Sequence, residues 1–110
     1  MKYRVVITAE AEGDLRKAYR YIRMQGAPDA ARTWLLGARK KIKTLAEHPE
    51  RANFAPESIS FEEPIRELLH GSGNRGIYRI LFVVLDRSVF ILHVRHGSML
   101  PLKPEARGFE

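Results

Sequence analysis

Four cationic side chains stand in or beside runs that are otherwise apolar: Arg66, Arg79, Arg95 and His96. A guanidinium presents a planar fork of donors that matches a carboxylate or phosphate, and an imidazole titrates near neutrality. The four are therefore candidate ligands for an anion or an acidic target. Each residue type also has a structural role open to it. A charge inside apolar sequence needs a partner, and Glu67 offers Arg79 one across a sheet; His96 can be a strand-end histidine. His93, among Ile91, Leu92 and Val94, reads as a hydrogen-bonded core imidazole. Arg39, Lys40, Lys41 and Lys43, with Trp34 and Ile42 on the other face, read as a solvated helix face, with nucleic acid or an acidic protein as the alternative contact.

The elements that must position these residues follow from hydrophobic period and punctuation. Residues 3–8 form a β-rich apolar run ending at Thr8, a good helix N-cap. Ala11, Leu15, Ala18, Tyr19 and Ile22 then make an amphipathic stripe, with Glu10, Glu12 and Asp14 near its electropositive start and Gly26 as its stop. Pro28 suits the first turn of a second helix, whose stripe runs through Ala31, Trp34, Leu35, Ala38, Ile42 and Leu45 until Pro49. Gly37 interrupts it, which reads as letting the two helices approach closely, with a surface position as the alternative. The short link predicts an antiparallel helix hairpin lying on a sheet.

Residues 50–63 lack any period and read as a long loop, a candidate binding or mobile segment. Residues 65–69 make a weak strand, 71–74 a turn, 77–85 a strong central strand, 86–88 a turn and 89–96 a final strand. The central strand carries Arg79 as its one charge. Burial on both faces follows, with helices on one side and a bound partner on the other. A three-residue turn at Asp86-Arg87-Ser88, the favoured reading, sets Arg79 opposite Arg95, whereas a two-residue turn sets it opposite Val94 and reverses the facing; the two arginines together on an open face would form an anion site. After Gly97 the proline-bearing tail has no period and is expected to be extended or flexible.

The chain has 110 residues, 45% of them hydrophobic, enough for one core and one domain. Lys and Arg exceed Asp and Glu by 19 to 13, a formal charge of +6, which favours an acidic partner. There are no cysteines, and the four histidines lie without ligand spacing, so neither a disulfide framework nor a metal site is expected, and no cofactor. The N-terminus lacks the apolar stretch of a signal peptide and no run approaches a membrane span, so a cytoplasmic protein with no membrane partner is expected.

Taken together, 11–21 (AEGDLRKAYRY), 42–49 (IKTLAEHP), 65–68 (IREL), 78–81 (YRIL) and 94–97 (VRHG) resemble the RelE/ParE superfamily of toxins from bacterial type II toxin–antitoxin pairs. The resemblance covers residues 3–97. It implies an α+β domain over residues 1–97 made of an N-terminal strand, an antiparallel helix hairpin and a three-stranded antiparallel sheet, followed by the tail at 98–110. RelE-like members are ribosome-dependent mRNA endonucleases, whereas ParE-like members are associated with inhibition of DNA gyrase. Attack by a 2′-hydroxyl needs a base, a donor to the leaving oxygen and cations for the phosphate. Arg79 matches the arginine those nucleases keep on the central strand, and a nuclease here would use Arg79, His96 and Arg66 on the ribosome. The strand before the turn has no lysine pair and the tail has no tyrosine, while the ending VRHG resembles the ParE-like branch. That branch implies a plasmid-stabilisation type toxin that binds gyrase and is neutralised by a cognate antitoxin. A homologue that only binds its antitoxin is the third reading.

Overall fold

The structure, a computed structural model, describes residues 2–71, 76–99 and 101. Strand β1 (Arg4–Ile7) leads into helix α1 (Ala9–Met24), helix α2 (Pro28–Lys43), a two-residue strand β2 (Asn53–Phe54) and the strands β3 (Arg66–Gly71), β4 (Ile77–Leu85) and β5 (Ser88–His96). They form one five-stranded sheet in the order β1-β5-β4-β3-β2, so β4 is central as expected. The sheet is larger than the expected three strands. β1 joins it in parallel to β5, Arg4 opposite Ser88 and Ile7 opposite Ile91, and β2 pairs with the start of β3. A parallel partner comes from the far end of the chain, and a two-residue strand has no alternation to read.

The helices start and stop where their punctuation stands. Thr8 caps α1, its hydroxyl oxygen accepting from the Ala11 amide at 3.2 Å and donating to the Ile91 carbonyl at 2.7 Å. Gly26 takes φ +79° just past the end of α1, and Pro28 opens α2. Arg39 near the end of α2 grips Glu12 near the start of α1 through two bonds of 3.1 and 2.9 Å, which fixes the hairpin as antiparallel. Leu15, Ile22, Trp34, Ala38, Ile42 and Leu45 are buried against Ile80, Phe82, Val89 and Ile91, with Tyr19 and Leu35 half-buried at the margin. Each fully buried aliphatic of this kind contributes roughly 1.5–3 kcal/mol. Gly37 serves the approach of α2 to β3 rather than the approach of the two helices, because a Cβ there would lie 2.9 Å from Cε1 of His70.

The expected loop at 50–63 is instead a folded strap. Single 3₁₀ turns at Pro49–Arg51 and Pro56–Ile59 flank β2. Elements this short are below the length at which a period can be read. The strap carries Ala55 and Phe61 onto Ile65, Leu81, Val83, Phe90 and Leu92, a second small core on the sheet face away from the helices. The far side of β4 is thus covered by the chain itself rather than by a partner.

The β4–β5 turn also departs from expectation. Leu85 pairs with Ser88, so the turn has two residues, Asp86 and Arg87, with Asp86 at φ +55°. A bulge then shifts the register, Phe82 facing Ile91 but Leu81 facing His93, and the shift restores Arg79 to its place opposite Arg95. The expected 71–74 turn falls largely outside the described residues, as does nearly all of the tail at 98–110.

Candidate functional site

Arg79 is almost completely buried on β4. Its Nη1 and Nη2 donate to the Oε2 and Oε1 of Glu57 at 3.0 and 2.5 Å, and its Nε donates to Glu67 at 2.8 Å. The fork is therefore filled by the strap, with Glu67 across the strand pair as the third contact. Hydrogen bonding to Glu57 above all, and then to Glu67, holds the guanidinium still further into its charged range against the opposing effect of burial. Glu57, whose side chain is fully enclosed, is the partner that sequence reasoning missed.

Arg66 is likewise engaged. Its Nη1 donates to the carbonyls of Glu50 and Ala52 at 3.0 and 2.7 Å, and its guanidinium lies 4.2 Å from the centre of the Phe54 ring. It pins the two ends of the strap's first half to β3. Cross-strand pairing puts Arg66 beside Phe82 and His96 beside Tyr78, both on the helix-facing side, whereas Arg79 shares the strap side with Leu81. Arg66, Arg79 and His96 do not converge on one surface.

Arg95 and His96 meet instead at a cleft of about 770 Å³ between α1 and the end of β5. β1 pairs with β5 only as far as Ile91, so α1 overhangs the remaining stretch of β5 edge. From α1 come Asp14, Lys17 and Tyr21; Tyr78 and Val94 form the sheet side. The spacing of Asp14, Lys17 and Tyr21 places them on one flank of the apolar stripe, a signal present in the sequence but overshadowed by the strand arginines.

Hydrogen bonds organise this cleft. Asp14 Oδ2 accepts from the Val94 amide at 3.0 Å and pairs with His93 Nδ1 at 2.8 Å. His93 is thus a hydrogen-bonded structural imidazole, with its partner on the helix. The Ser98 amide donates to His96 Nδ1 at 3.0 Å, which makes that nitrogen an acceptor and leaves the ring proton of the neutral form on Nε2. Behind it, Trp34, Tyr78 and His96 stack edge-to-face, with centroids 4.9 and 5.0 Å apart. Burial, reinforced by Tyr21, pushes the Tyr78 phenol upward, so it stays protonated near neutrality. Gly76, at φ +81°, admits the His96 ring, since a Cβ there would lie 2.6 Å from Nε2.

Among the described residues no group of three or more His, Cys, Asp or Glu side chains is placed to hold a metal ion. No described helix is long and apolar enough to cross a membrane. Comparison with known families matches residues 5–101 to the ParE toxin of the type II toxin–antitoxin system, parDE. Comparison with curated proteins finds no match. Among solved structures, a chain of the chromosomal ParDE toxin–antitoxin system from P. aeruginosa is similar in fold, with a TM-score of 0.66 at 20% identity over 86% of this chain and 96% of that one.

Proposed function

The chain belongs to the ParE toxin family of type II toxin–antitoxin systems, and we propose that it acts by binding, with DNA gyrase as its target and a cognate antitoxin as its neutralising partner. The observation that supports binding over RNA cleavage is the closed Arg79–Glu57–Glu67 cluster. A phosphate clamp must present free donors to its substrate, and this guanidinium spends its fork on the strap. Arg66 commits its Nη1 to two carbonyls and sets its guanidinium over Phe54, and His96 lies on the other side of the sheet from Arg79. Arg95 and His96, which line the rim of the open cleft, are the target-binding candidates.

The test is to express the chain alone and measure supercoiling by purified gyrase beside cleavage of mRNA on translating ribosomes. Loss of supercoiling with intact mRNA is the expected result. Cuts at fixed codon positions that vanish in Arg79→Ala would replace the binding reading with a nuclease. A protein that does neither, but still captures its antitoxin, would be a non-toxic homologue.

A further inference from the structure

We propose that the outer face of α1, carrying Arg16, Lys17, Arg20 and Arg23, grips the phosphate backbone of duplex DNA without regard to base sequence. This surface rests on the binding reading above and deepens it, since a toxin seated on gyrase works within reach of the DNA that the enzyme holds.

The placement of the cations comes first. Arg16, Arg20 and Arg23 follow at spacings of four and three, the repeat of one helix face, and Lys17 stands beside them. All four are exposed, on the side of α1 turned away from the buried Leu15, Ala18 and Ile22. Between Asp14 and Asp29 the chain has no acidic residue. The two acids that precede the cations are already committed, Glu12 to Arg39 through bonds of 3.1 and 2.9 Å, and Asp14 to His93 and the Val94 amide. Among the described residues, none of the four cations has a carboxylate within ion-pair distance. α2 differs, because Arg32, Arg39 and Lys41 each have a partner within the chain. A cation in the last turn steadies the helix dipole, which accounts for Arg23 alone of the four.

Chemistry then selects the occupant. The ridge from Arg16 to Arg23 is about 10 Å long at the rise of an α-helix, and a DNA strand offers a phosphate about every 3.4 Å of its axis, so the ridge faces about three phosphates. A guanidinium fork fits a phosphate, and the Lys17 ammonium serves it as a point charge. A folded protein is a poorer fit, because a stable interface buries about 800 Å² per partner, whereas the large apolar side chains exposed on α1 are Tyr21 and Met24. A membrane surface fits no better, since the apolar stripe of α1 is turned into the core.

The experiment follows the anisotropy of two labelled DNA duplexes of unrelated sequence as the full chain is added, at salt from about 50 to 200 mM. Equal affinity for the two sequences is expected, with log K falling against log salt at a slope of about −3 to −4, the value for three to four neutralised phosphates. The double variant Arg16→Gln/Arg20→Gln, at exposed positions and with a good helix former, should bind both duplexes more weakly and flatten the slope by about 2. Arg87→Gln, in the exposed β4–β5 turn, should change neither. The proposal is overturned if the parent fails to bind DNA at the lowest salt, if the double variant keeps the parent's slope, or if Arg87→Gln flattens it equally. It is overturned too if polyglutamate competes as well as unlabelled duplex, which would make the face a site for acidic protein, or if duplex RNA binds about tenfold more tightly. Supercoiling by gyrase is scored with the same proteins. Weaker inhibition by the double variant than by the parent is expected, and equal inhibition would overturn the DNA grip alone. A parent that binds DNA but leaves supercoiling intact would overturn the underlying reading and leave the DNA surface standing.

Discussion

The two faces of the sheet handle positive charge in opposite ways. On the strap side, Arg79 is buried with two carboxylates, beside a small core that Ala55 and Phe61 help to build. At the end of β5, Lys17 and His96 on the helix side, together with Arg95, whose place opposite Arg79 gives it the strap face, border an open cleft. Arg79 and Arg95 are directly opposite each other on adjacent strands; Arg79 is tied to two carboxylates, and Arg95 also lines the cleft. The difference predicts that damage on the strap side is read as stability and damage at the cleft as binding.

The largest effect tests the foundation of the cleft. Trp34 is 7% exposed and braces Tyr78, which in turn braces His96. Trp34→Ala should cost about 3–5 kcal/mol in urea unfolding; a loss below about 1 kcal/mol, the scale of an ordinary surface substitution, would mean that the ring column does not support the cleft. Glu57→Gln is the matching test on the strap. It keeps the volume but leaves Arg79 with Glu67 as its one carboxylate, and a loss of about 3 kcal/mol is expected, since breaking a buried pair strands the remaining charge. Near-normal stability in Glu57→Gln would show the strap to be held by its apolar contacts and would weaken the contrast.

At the cleft, Asp14→Ala removes the acceptor of the Val94 amide and of His93. Because water can enter there, a loss of about 1–2 kcal/mol is expected by chemical denaturation, smaller than at Glu57. An equal or larger loss would mean that the cleft is as closed as the strap.

His70 sharpens the contrast through pH. Burial above all, with Lys41 adding to it, lowers its pKa below the ordinary value of 6.5, although the bond of its Nε2 to the Trp34 carbonyl pulls the other way. The unfolded chain therefore binds a proton that the folded chain resists. Stability from this residue is full above pH 6.5 and is lost as pH falls from there through the lower folded value. In His70→Gln the decline of the urea midpoint over that window should flatten, and an unchanged decline would place its origin elsewhere. The smallest effect is expected at Arg39–Glu12, whose side chains are 37% and 33% exposed. Arg39→Ala should cost under about 1 kcal/mol, less again in high salt, by the same unfolding measurement.

Much of the scaffold was legible because its signals are local. Thr8, Gly26 and Pro28 mark the helix ends, the stripes name the buried helix residues, and the strong strand at 77–85 matches β4 to the residue. The strap was not legible, because single 3₁₀ turns have no period and Glu57 looks like any polar loop residue until Arg79 is brought to it. The bulge at the Leu81/Phe82 step has no turn residue to announce it. The cleft was half legible. Arg95 and His96 stood out in an apolar strand, while Asp14, Lys17 and Tyr21 lay among the ordinary polar residues of a helix and gained meaning only once β1 proved too short to cover β5.

The parallel pairing of β1 with β5 also dictates an order of assembly. Arg4 pairs with Ser88, nearly at the other end of the chain. Contacts between such distant residues close the largest loop and are intrinsically slow to form. During synthesis the helix hairpin and the β3–β4 pair have their partners available early, but the first strand made must wait for the last one. The Thr8 hydroxyl, which joins the start of α1 to the Ile91 carbonyl, locks at the same late moment. A growing chain therefore acquires its complete sheet, and with it the overhang above β5, only when translation of the domain is nearly done.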